Sequence, residues 1–168
     1  MSRIFLTPVN DISKESSFAK TVLNKVLYKG NYEQLWGVIS HDKTWNKLKD
    51  NDKLFIYKGG RIVYILDVKE KLIDTNFSKK TWNSKVKISG EVVYYDKIIL
   101  FKKIIKTDFS YDLIKRMAEY KPKASVRYFF ELSEIGHKSI REKFGSIEYF
   151  IEKITATNKV YTQWLGLC

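Results

Sequence analysis

Two tryptophans are the side chains in this sequence best suited to bind a flat ligand. Trp36 lies in the apolar run Leu35–Ile39, and Trp82 lies in a basic and polar segment that extends from Lys79 to Lys85. Indole rings offer flat apolar surfaces on which a nucleobase can stack, and neighbouring cations can hold the phosphates on either side of it. The combination predicts a site for a base that has left its stack, with the two rings facing each other across an open slot.

The charge of the chain points to the same class of ligand. Thirty-one Lys and Arg residues against nineteen Asp and Glu give a formal net charge of +12. Such an excess is typical of proteins that bind phosphate backbones, although AT-rich coding or adaptation to heat can also produce a lysine-rich surface. Because the basic residues are scattered along the chain and do not form one amphipathic helix, nucleic acid is favoured over an anionic membrane.

Composition narrows the remaining classes. A chain of 168 residues with 44% hydrophobic residues is within the range of one domain with a packed core. Its apolar runs are short and its N-terminus lacks the pattern of a signal peptide, so we expect a cytoplasmic protein without a membrane span. One cysteine, Cys168, and two histidines, His41 and His137, provide neither a disulfide framework nor a zinc cluster, and we expect no metal and no cofactor.

Hydrophobic periodicity predicts an α+β domain. The clearest feature is a hairpin whose strands, 53–57 and 61–66, are joined by the turn Lys58-Gly59-Gly60. Further strands are predicted at 3–7, 35–39, 97–106 and 126–132, and helices at 16–28, 41–48, 76–82 and 110–120, with a C-terminal helical region broken at Gly145. The stretch between Trp82 and the strand at 97 reads as mobile. This order predicts a curved, mostly mixed sheet that stays open or closes into a small barrel.

The sequence predicts one domain over residues 1–154. Residues 155–168 read as a C-terminal tail or a linker toward a further domain, and Trp164 falls in this segment. No repeat or low-complexity tract divides the chain.

Enzymatic motifs are few. The chain has no phosphate-binding P-loop, no Gly-x-Gly-x-x-Gly and no Gly-x-Ser-x-Gly, so we expect a binding module and not an enzyme. The one catalytic pattern is Asp67-Val68-Lys69, with Asp50 and Asp52 upstream, which could hold a divalent cation and orient a water as in a metal-dependent nuclease. A strand that becomes exposed at its end explains the same alternation. A nuclease is therefore the third alternative.

The order of these segments resembles the YTH domains and their EVE relatives within the PUA-like superfamily. The likeness covers about residues 3 to 132 and rests on Asn10 after the first strand, Trp36-Gly37, the hairpin, Trp82, and the pair Lys121-Pro122 followed by Arg127. The chain is also similar to the N-terminal reader modules of McrB-type motor subunits in archaeal modification-dependent restriction systems. It departs from YTH domains at Gly37, where they usually carry Ser or Cys, and at Tyr128, where an acidic residue is common.

The resemblance implies a PUA-like (YTH/EVE) fold and a set of site residues. Trp36 and Trp82 would form an aromatic cage around a flipped base, Asn10 would form a hydrogen bond with that base, and Arg127 would contact the backbone. The third wall is open between Tyr57, Tyr64 and Trp45, each of which also suits a core position. Lysines that flank these positions are the further candidates for backbone contacts: Lys43, Lys79, Lys80, Lys85, Lys121 and Lys123.

The function implied by the resemblance is recognition of a modified base in double-stranded DNA. The YTH likeness favours 6-methyladenine, and 5-methylcytosine is the second choice. The chain would then be the targeting module of a modification-dependent restriction system, with an AAA+ motor and a nuclease subunit as fused or separate partners. Because YTH readers and many PUA-like domains bind RNA, an RNA reader of a modified base is the alternative.

Overall fold

The computed structural model describes residues 1–156, which form an α+β domain. Its strands are β1 (Ile4–Pro8), β2 (Val26–Tyr28), β3 (Asn31–Val38), β4 (Lys53–Lys58), β5 (Arg61–Ile73), β6 (Lys85–Ile88), β7 (Glu91–Tyr94), β8 (Lys97–Ser110) and β9 (Phe130–Glu131). Its helices are α1 (Asp42–Lys47), α2 (Thr75–Thr81), α3 (Asp112–Ala118), α4 (Glu134–Phe144) and α5 (Ile147–Ala156), and a π-helical turn spans Ala19–Leu23.

Seven strands form one open sheet in the order β2-β3-β8-β5-β4-β1-β9, while β6 and β7 form a separate hairpin. β1 and β4 are parallel and the other pairs are antiparallel. The register of the long strand β5 against β8 shifts between Ile62 and Tyr64 and again between Asp67 and Glu70. Such irregularities bend strands, so the sheet curves without closing. The predicted α+β fold with a curved mixed sheet is confirmed in its open form.

The two faces of the sheet carry separate cores. Along β4, Phe55 points into a cluster shared with α3, α4 and α5, whereas Leu54 and Ile56 point into a second cluster that contains Phe18 and Trp45. This alternation follows from the period of two in a strand. Three helices thus cover one face, and the second face is covered by shorter segments.

Several predicted elements are confirmed. The hairpin of β4 and β5 turns at Gly59-Gly60, and α1 buries Trp45 and Leu48. The C-terminal helical region breaks at Gly145, whose φ of 84° is in the left-handed region that glycine tolerates. Within residues 1–156, no helix is both long enough and apolar enough to cross a bilayer.

The predicted helix 16–28 is wrong in its second half. The helical turn ends at Asn24, whose backbone N–H and side-chain amide both donate to the carbonyl of Ala19. Val26–Tyr28 then form β2, which pairs with β3 through the turn Lys29-Gly30, where both residues have positive φ (49° and 83°). A two-residue turn of this kind suits the twist of a hairpin. Strand pairing has overridden the helical spacing of the apolar residues.

Two further predictions need correction. The stretch that reads as mobile contains the β6–β7 hairpin, which turns at Ser89-Gly90 with φ values of 51° and 82°. The predicted strand 126–132 shrinks to β9, because only Phe130 and Glu131 pair with β1. Thr155 and Ala156 belong to α5, whereas the rest of the predicted tail, including Trp164, lies outside the described residues.

Candidate nucleic-acid interface

A cavity of about 880 Å³ opens on the side of the sheet that carries Phe18 and Val38. Its walls come from five segments that lie far apart in the sequence. They are Thr7–Asp11, Glu15–Phe18, Trp36–Ile39, the stretch after α2 that includes Trp82, Ser84, Val86 and Tyr95, and Val126–Phe129. Asn10 and Arg127 are among the lining residues, so the structure brings together four of the positions that the sequence singles out.

Trp36 and Trp82 are in direct contact at the wall of this cavity. Their ring centroids are 5.8 Å apart and their planes meet at 72°, which is an edge-to-face arrangement. Both side chains are half-buried. The expectation of two rings that face each other across a slot is therefore wrong, since an edge-to-face pair at this distance leaves no room for a base between them. The space for a ligand lies beside the pair, in the cavity that both rings line.

Trp36 is held by the sheet and by the segment after β1. It lies in β3 opposite Ile99 of β8, and its ring meets the ring of Phe18 edge to face, at 5.4 Å between centroids. Phe18 is itself buried and lines the cavity. The contact with the buried ring of Phe18 thus fixes the orientation of Trp36.

Trp82 is positioned by the helix that precedes it. Asp74 caps the N-terminus of α2 by accepting from the Phe77 amide, and it also accepts from the Tyr28 hydroxyl at 2.8 Å. The hydrogen bond from the Phe77 amide and, to a smaller extent, the one from the Tyr28 hydroxyl lower the pKa of Asp74. Burial and the hydrogen bond to Asp74 raise the pKa of Tyr28 to about 12. The Phe77 ring lies edge to face against Trp82, with centroids 5.8 Å apart. These contacts join α2 to the β2–β3 hairpin and fix the place where Trp82 emerges.

Gly37 makes the approach of Trp82 possible. A Cβ at this position would lie 2.3 Å from the Tyr95 carbonyl oxygen and 2.7 Å from Cζ3 of Trp82, well inside van der Waals contact. The role of Gly37 in the structure is steric, because only glycine leaves room for the indole at this strand. The Trp82 Nε1 group is buried and has no acceptor in residues 1–156.

Polar groups line the mouth of the cavity. Asn10 is exposed, and the segment that carries it is fixed by the hydrogen bond from the Val9 amide to the Tyr57 carbonyl at 2.9 Å. Asp11 accepts from the Ser13 amide at 2.8 Å, and this hydrogen bond lowers the pKa of its carboxyl. Arg127 is exposed on the opposite segment. The mouth therefore offers an amide, a carboxylate and a guanidinium to a polar ligand.

The three candidates for a third aromatic wall all lie elsewhere. Tyr57 points to the other face of the sheet and packs against Tyr111, with centroids 5.3 Å apart. Tyr64 is buried against Phe18, and Trp45 is buried in the same cluster. Tyr64 and Trp45 are buried and Tyr57 is half-buried, because the strand or helix that carries each residue turns it toward one of the two apolar clusters.

Sequence reasoning missed two accessible aromatic residues that line the cavity, Tyr95 and Tyr128. Tyr95 is half-buried before β8, and Tyr128 is 66% exposed next to Arg127. Neither residue could have been recognised from the sequence alone. The exposure of Tyr128 is a property of the folded chain, and the place of Tyr95 in the wall depends on the β6–β7 hairpin.

The six candidate lysines, Lys43, Lys79, Lys80, Lys85, Lys121 and Lys123, are all exposed. In the described part of the chain neither they nor Arg127 forms a salt bridge. The ammonium of Lys79 lies 4.8 Å from the ring centre of Tyr94, a cation–π contact that holds it beside α2. These cations remain available to phosphate groups.

The residues of the nuclease alternative have other partners. Asp67 forms an ion pair with Lys53 at 3.1 Å, and Lys69 binds both carboxylate oxygens of Glu33 at 2.9 and 3.0 Å. Asp52 is buried and accepts from the amides of Arg3 and Lys49. Over residues 1–156, no three acidic, histidine or cysteine side chains are grouped as metal ligands. The geometry favours a structural role for Asp67 and Lys69.

Comparison with known proteins identifies the fold. The sequence matches no family model and no curated protein. Among solved structures, the N-terminal domain of Thermococcus gammatolerans McrB bound to m5C DNA is 17% identical, with a TM-score of 0.60 over 93% of this chain and 100% of that chain. The YTH domain of the Zygosaccharomyces rouxii MRB1 protein in complex with N6-methyladenosine RNA is 16% identical, with a TM-score of 0.50 over 89% of this chain and 91% of that chain. The resemblance to YTH and McrB-type reader domains is confirmed at the level of the fold.

Proposed function

We propose that this chain is a reader of a modified base in DNA, which takes the flipped base into the cavity beside Trp36 and Trp82. The observation that carries the proposal is that both indole rings are half-buried and line one cavity of about 880 Å³. A volume of this size is typical of pockets that enclose small ligands. We propose 6-methyladenine as the base, with 5-methylcytosine as the second choice.

An apolar cavity wall suits a methylated base for a simple chemical reason. A methyl group adds no hydrogen-bond donor and no strong acceptor, so a protein detects it chiefly through stacking and apolar contact. Stacking of a base on an aromatic side chain contributes about 1–3 kcal/mol, which is comparable to the few kcal/mol that extrusion from a duplex costs. The indoles of Trp36 and Trp82 and the ring of Tyr95 supply such surfaces around the cavity.

Polar groups at the cavity mouth would recognise the edge of the base and the backbone. The amide of Asn10 can both donate and accept, which suits the Watson–Crick edge of either adenine or cytosine. Arg127 and the exposed lysines around Trp82 would contact phosphates, which fix the register of the strand without reading its sequence. The carboxylate of Asp11 is an acceptor for an exocyclic amino group.

DNA is the proposed ligand, and a modification-dependent restriction system is the proposed context. The McrB domain that shares this fold is bound to DNA that contains m5C. We propose that the chain is the targeting module of a modification-dependent restriction system, in which an AAA+ motor and a nuclease subunit act as fused or separate partners. The MRB1 YTH domain binds N6-methyladenosine RNA, so RNA is the alternative ligand that the binding experiment must include.

The proposal can be tested by measuring affinity for matched oligonucleotides. These are one DNA duplex without modification, the same duplex with a single 6-methyladenine or a single 5-methylcytosine, and RNA of the same sequence with and without N6-methyladenosine. We expect tighter binding to a modified DNA, and we expect Trp82→Ala to reduce that preference about tenfold or more, since the loss of stacking contributes about 1–3 kcal/mol.

The matched control is Tyr32→Ala, which removes an aromatic side chain that is 70% exposed in β3 and does not line the cavity. It should leave the preference intact. Equal affinity for modified and unmodified DNA would contradict the proposal, as would a preference that survives Trp82→Ala. Preference for the modified RNA over the modified DNA would favour the alternative ligand.

A further inference from the structure

The β6–β7 hairpin projects from the domain beside the cavity. It forms a two-stranded sheet of its own, and its turn at Ser89-Gly90 is tight because both residues have positive φ. At its base, Val86 lines the cavity together with Tyr95. The hairpin therefore begins at the ligand space and ends in solvent.

The two faces of the hairpin differ in chemistry. Directly paired residues share a face in an antiparallel ladder, so Val86 and Val93 lie on one face with Ile88 and Glu91, while Lys85 and Lys87 lie on the other face with Tyr94 and Val92. Ile88 thus continues the face of Val86. It lies two residues nearer the tip, which corresponds to about 7 Å along the strand.

Ile88 is an exposed apolar side chain that belongs to none of the apolar clusters of residues 1–156. Its side chain is 47% exposed, and Glu91 opposite it is also exposed. A tip with an apolar side chain next to Lys85 and Lys87 has the composition that inserts into nucleic acid, because the cations contact phosphates while the apolar group enters the base stack. In residues 1–156 neither lysine forms a salt bridge.

We infer that Ile88 enters the base stack of duplex DNA at the position vacated by the flipped base. This inference rests on the proposed function. A base that leaves a duplex creates a gap and leaves its partner unpaired, and an apolar side chain in the gap restores part of the lost contact. The orphaned partner is thymine or guanine, and each then presents an imino N–H to which the carboxylate of Glu91 offers an acceptor.

The test compares a duplex with a single strand. A modified base in a single strand needs no extrusion from a pair and leaves no gap to fill, so the contribution of Ile88 should be confined to the duplex. We would measure the affinity of Ile88→Ser for the duplex with one 6-methyladenine, for the duplex with one 5-methylcytosine, and for each modified strand alone. We expect about tenfold weaker binding to the preferred modified duplex, and unchanged binding to the corresponding single strand.

The matched control is Val92→Ser, because Val92 is equally exposed at 47% but lies on the opposite face of the hairpin. It should bind both forms as the wild type does. A second readout is the fluorescence of 2-aminopurine placed next to the modified base, which reports unstacking. The fluorescence of the 2-aminopurine in the complex with the wild type should differ from that in the complex with Ile88→Ser, because only the wild type places an apolar side chain against the neighbouring base.

The outcomes separate the insertion from the proposed function. If Ile88→Ser binds the duplex as tightly as the wild type, or weakens binding to duplex and single strand equally, insertion is excluded and the reader function stands. If the wild type prefers neither modified duplex nor modified strand over unmodified DNA, the proposed function fails and the insertion fails with it. A selective loss of duplex affinity in Ile88→Ser, absent from Val92→Ser, supports insertion.

Discussion

Substitution of Gly37 by alanine should disturb the cavity through one added methyl group. The new Cβ would lie 2.3 Å from the Tyr95 carbonyl oxygen and 2.7 Å from Cζ3 of Trp82. Contacts between carbon atoms are optimal at about 3.5–4.0 Å, so both neighbours must move by about 1 Å. The carbonyl belongs to the backbone just before β8, and Gly37 itself pairs with Ile98 of that strand. Neither group can rotate out of the way without altering the wall of the cavity.

The size of the effect follows from the cost of overpacking. Added methyl groups in well-packed interiors destabilise proteins by about 1–3 kcal/mol. For a domain of this size, each kcal/mol lowers the melting temperature by about 2–4 °C. We expect Gly37→Ala to fall in this range and also to lose the preference for modified DNA, because displacement of Trp82 changes the surface on which the base stacks.

The assay is urea unfolding together with the oligonucleotide titration. Gly30→Ala provides the control, since its φ of 83° makes alanine strained although no atom lies within 4 Å of the added Cβ. It should cost about 1–2 kcal/mol of stability and leave binding unchanged. A second comparison introduces Gly37→Ala into Trp82→Ala, where part of the clash is absent and the loss of stability should be smaller. Wild-type stability and selectivity in Gly37→Ala would refute this view of the wall.

Two further substitutions test the core and the nuclease alternative. The Ile4 amide donates to Nε2 of His137 and Nδ1 donates to the Ser133 carbonyl, so the folded protein holds this ring in its neutral form, and burial lowers its pKa below the ordinary value of 6.5. The contribution of His137 to stability should therefore be complete above pH 6.5 and decrease as the pH falls below it. Urea unfolding measured across this range should show a weaker dependence of stability on pH in His137→Gln. Asp67→Asn leaves the buried Lys53 without its ion pair. This substitution should lower the free energy of unfolding by about 3 kcal/mol and leave the affinity for DNA unchanged. Magnesium-dependent cleavage of DNA by the wild type that disappears in Asp67→Asn would instead support a nuclease.

Local signals in the sequence predicted the parts of the fold that depend on local chemistry. The turn at Gly59-Gly60 specifies the β4–β5 hairpin, and the break at Gly145 separates the last two helices. The error at residues 24–28 has a physical cause. Val22 and Val26 are spaced as in a helix, but pairing with β3 offers the backbone of Val26 a ladder of hydrogen bonds that a short helix end lacks.

The candidate site was predictable in its anchors and not in its geometry. Trp36, Trp82, Asn10 and Arg127 line one cavity, and their roles in binding a base stay predictions. Their mutual orientation depends on contacts between distant segments, such as the fit of Trp82 over Gly37. Tyr57 illustrates the same limit, because an alternating strand gives no sign of which face will carry the ligand.

The five separate segments that enclose the cavity tie recognition to the integrity of the whole domain. Positions 10 and 127 come together because β1 pairs with β9, whereas positions 37 and 82 meet beside the pair formed by β3 and β8. Long-range pairing of this kind slows folding, because distant parts of the chain must come together before their contacts form. A nucleotide in the cavity would contact both the end of β1 and the segment that precedes β9. Its binding should therefore raise the melting temperature of the whole domain as the ligand concentration exceeds the dissociation constant.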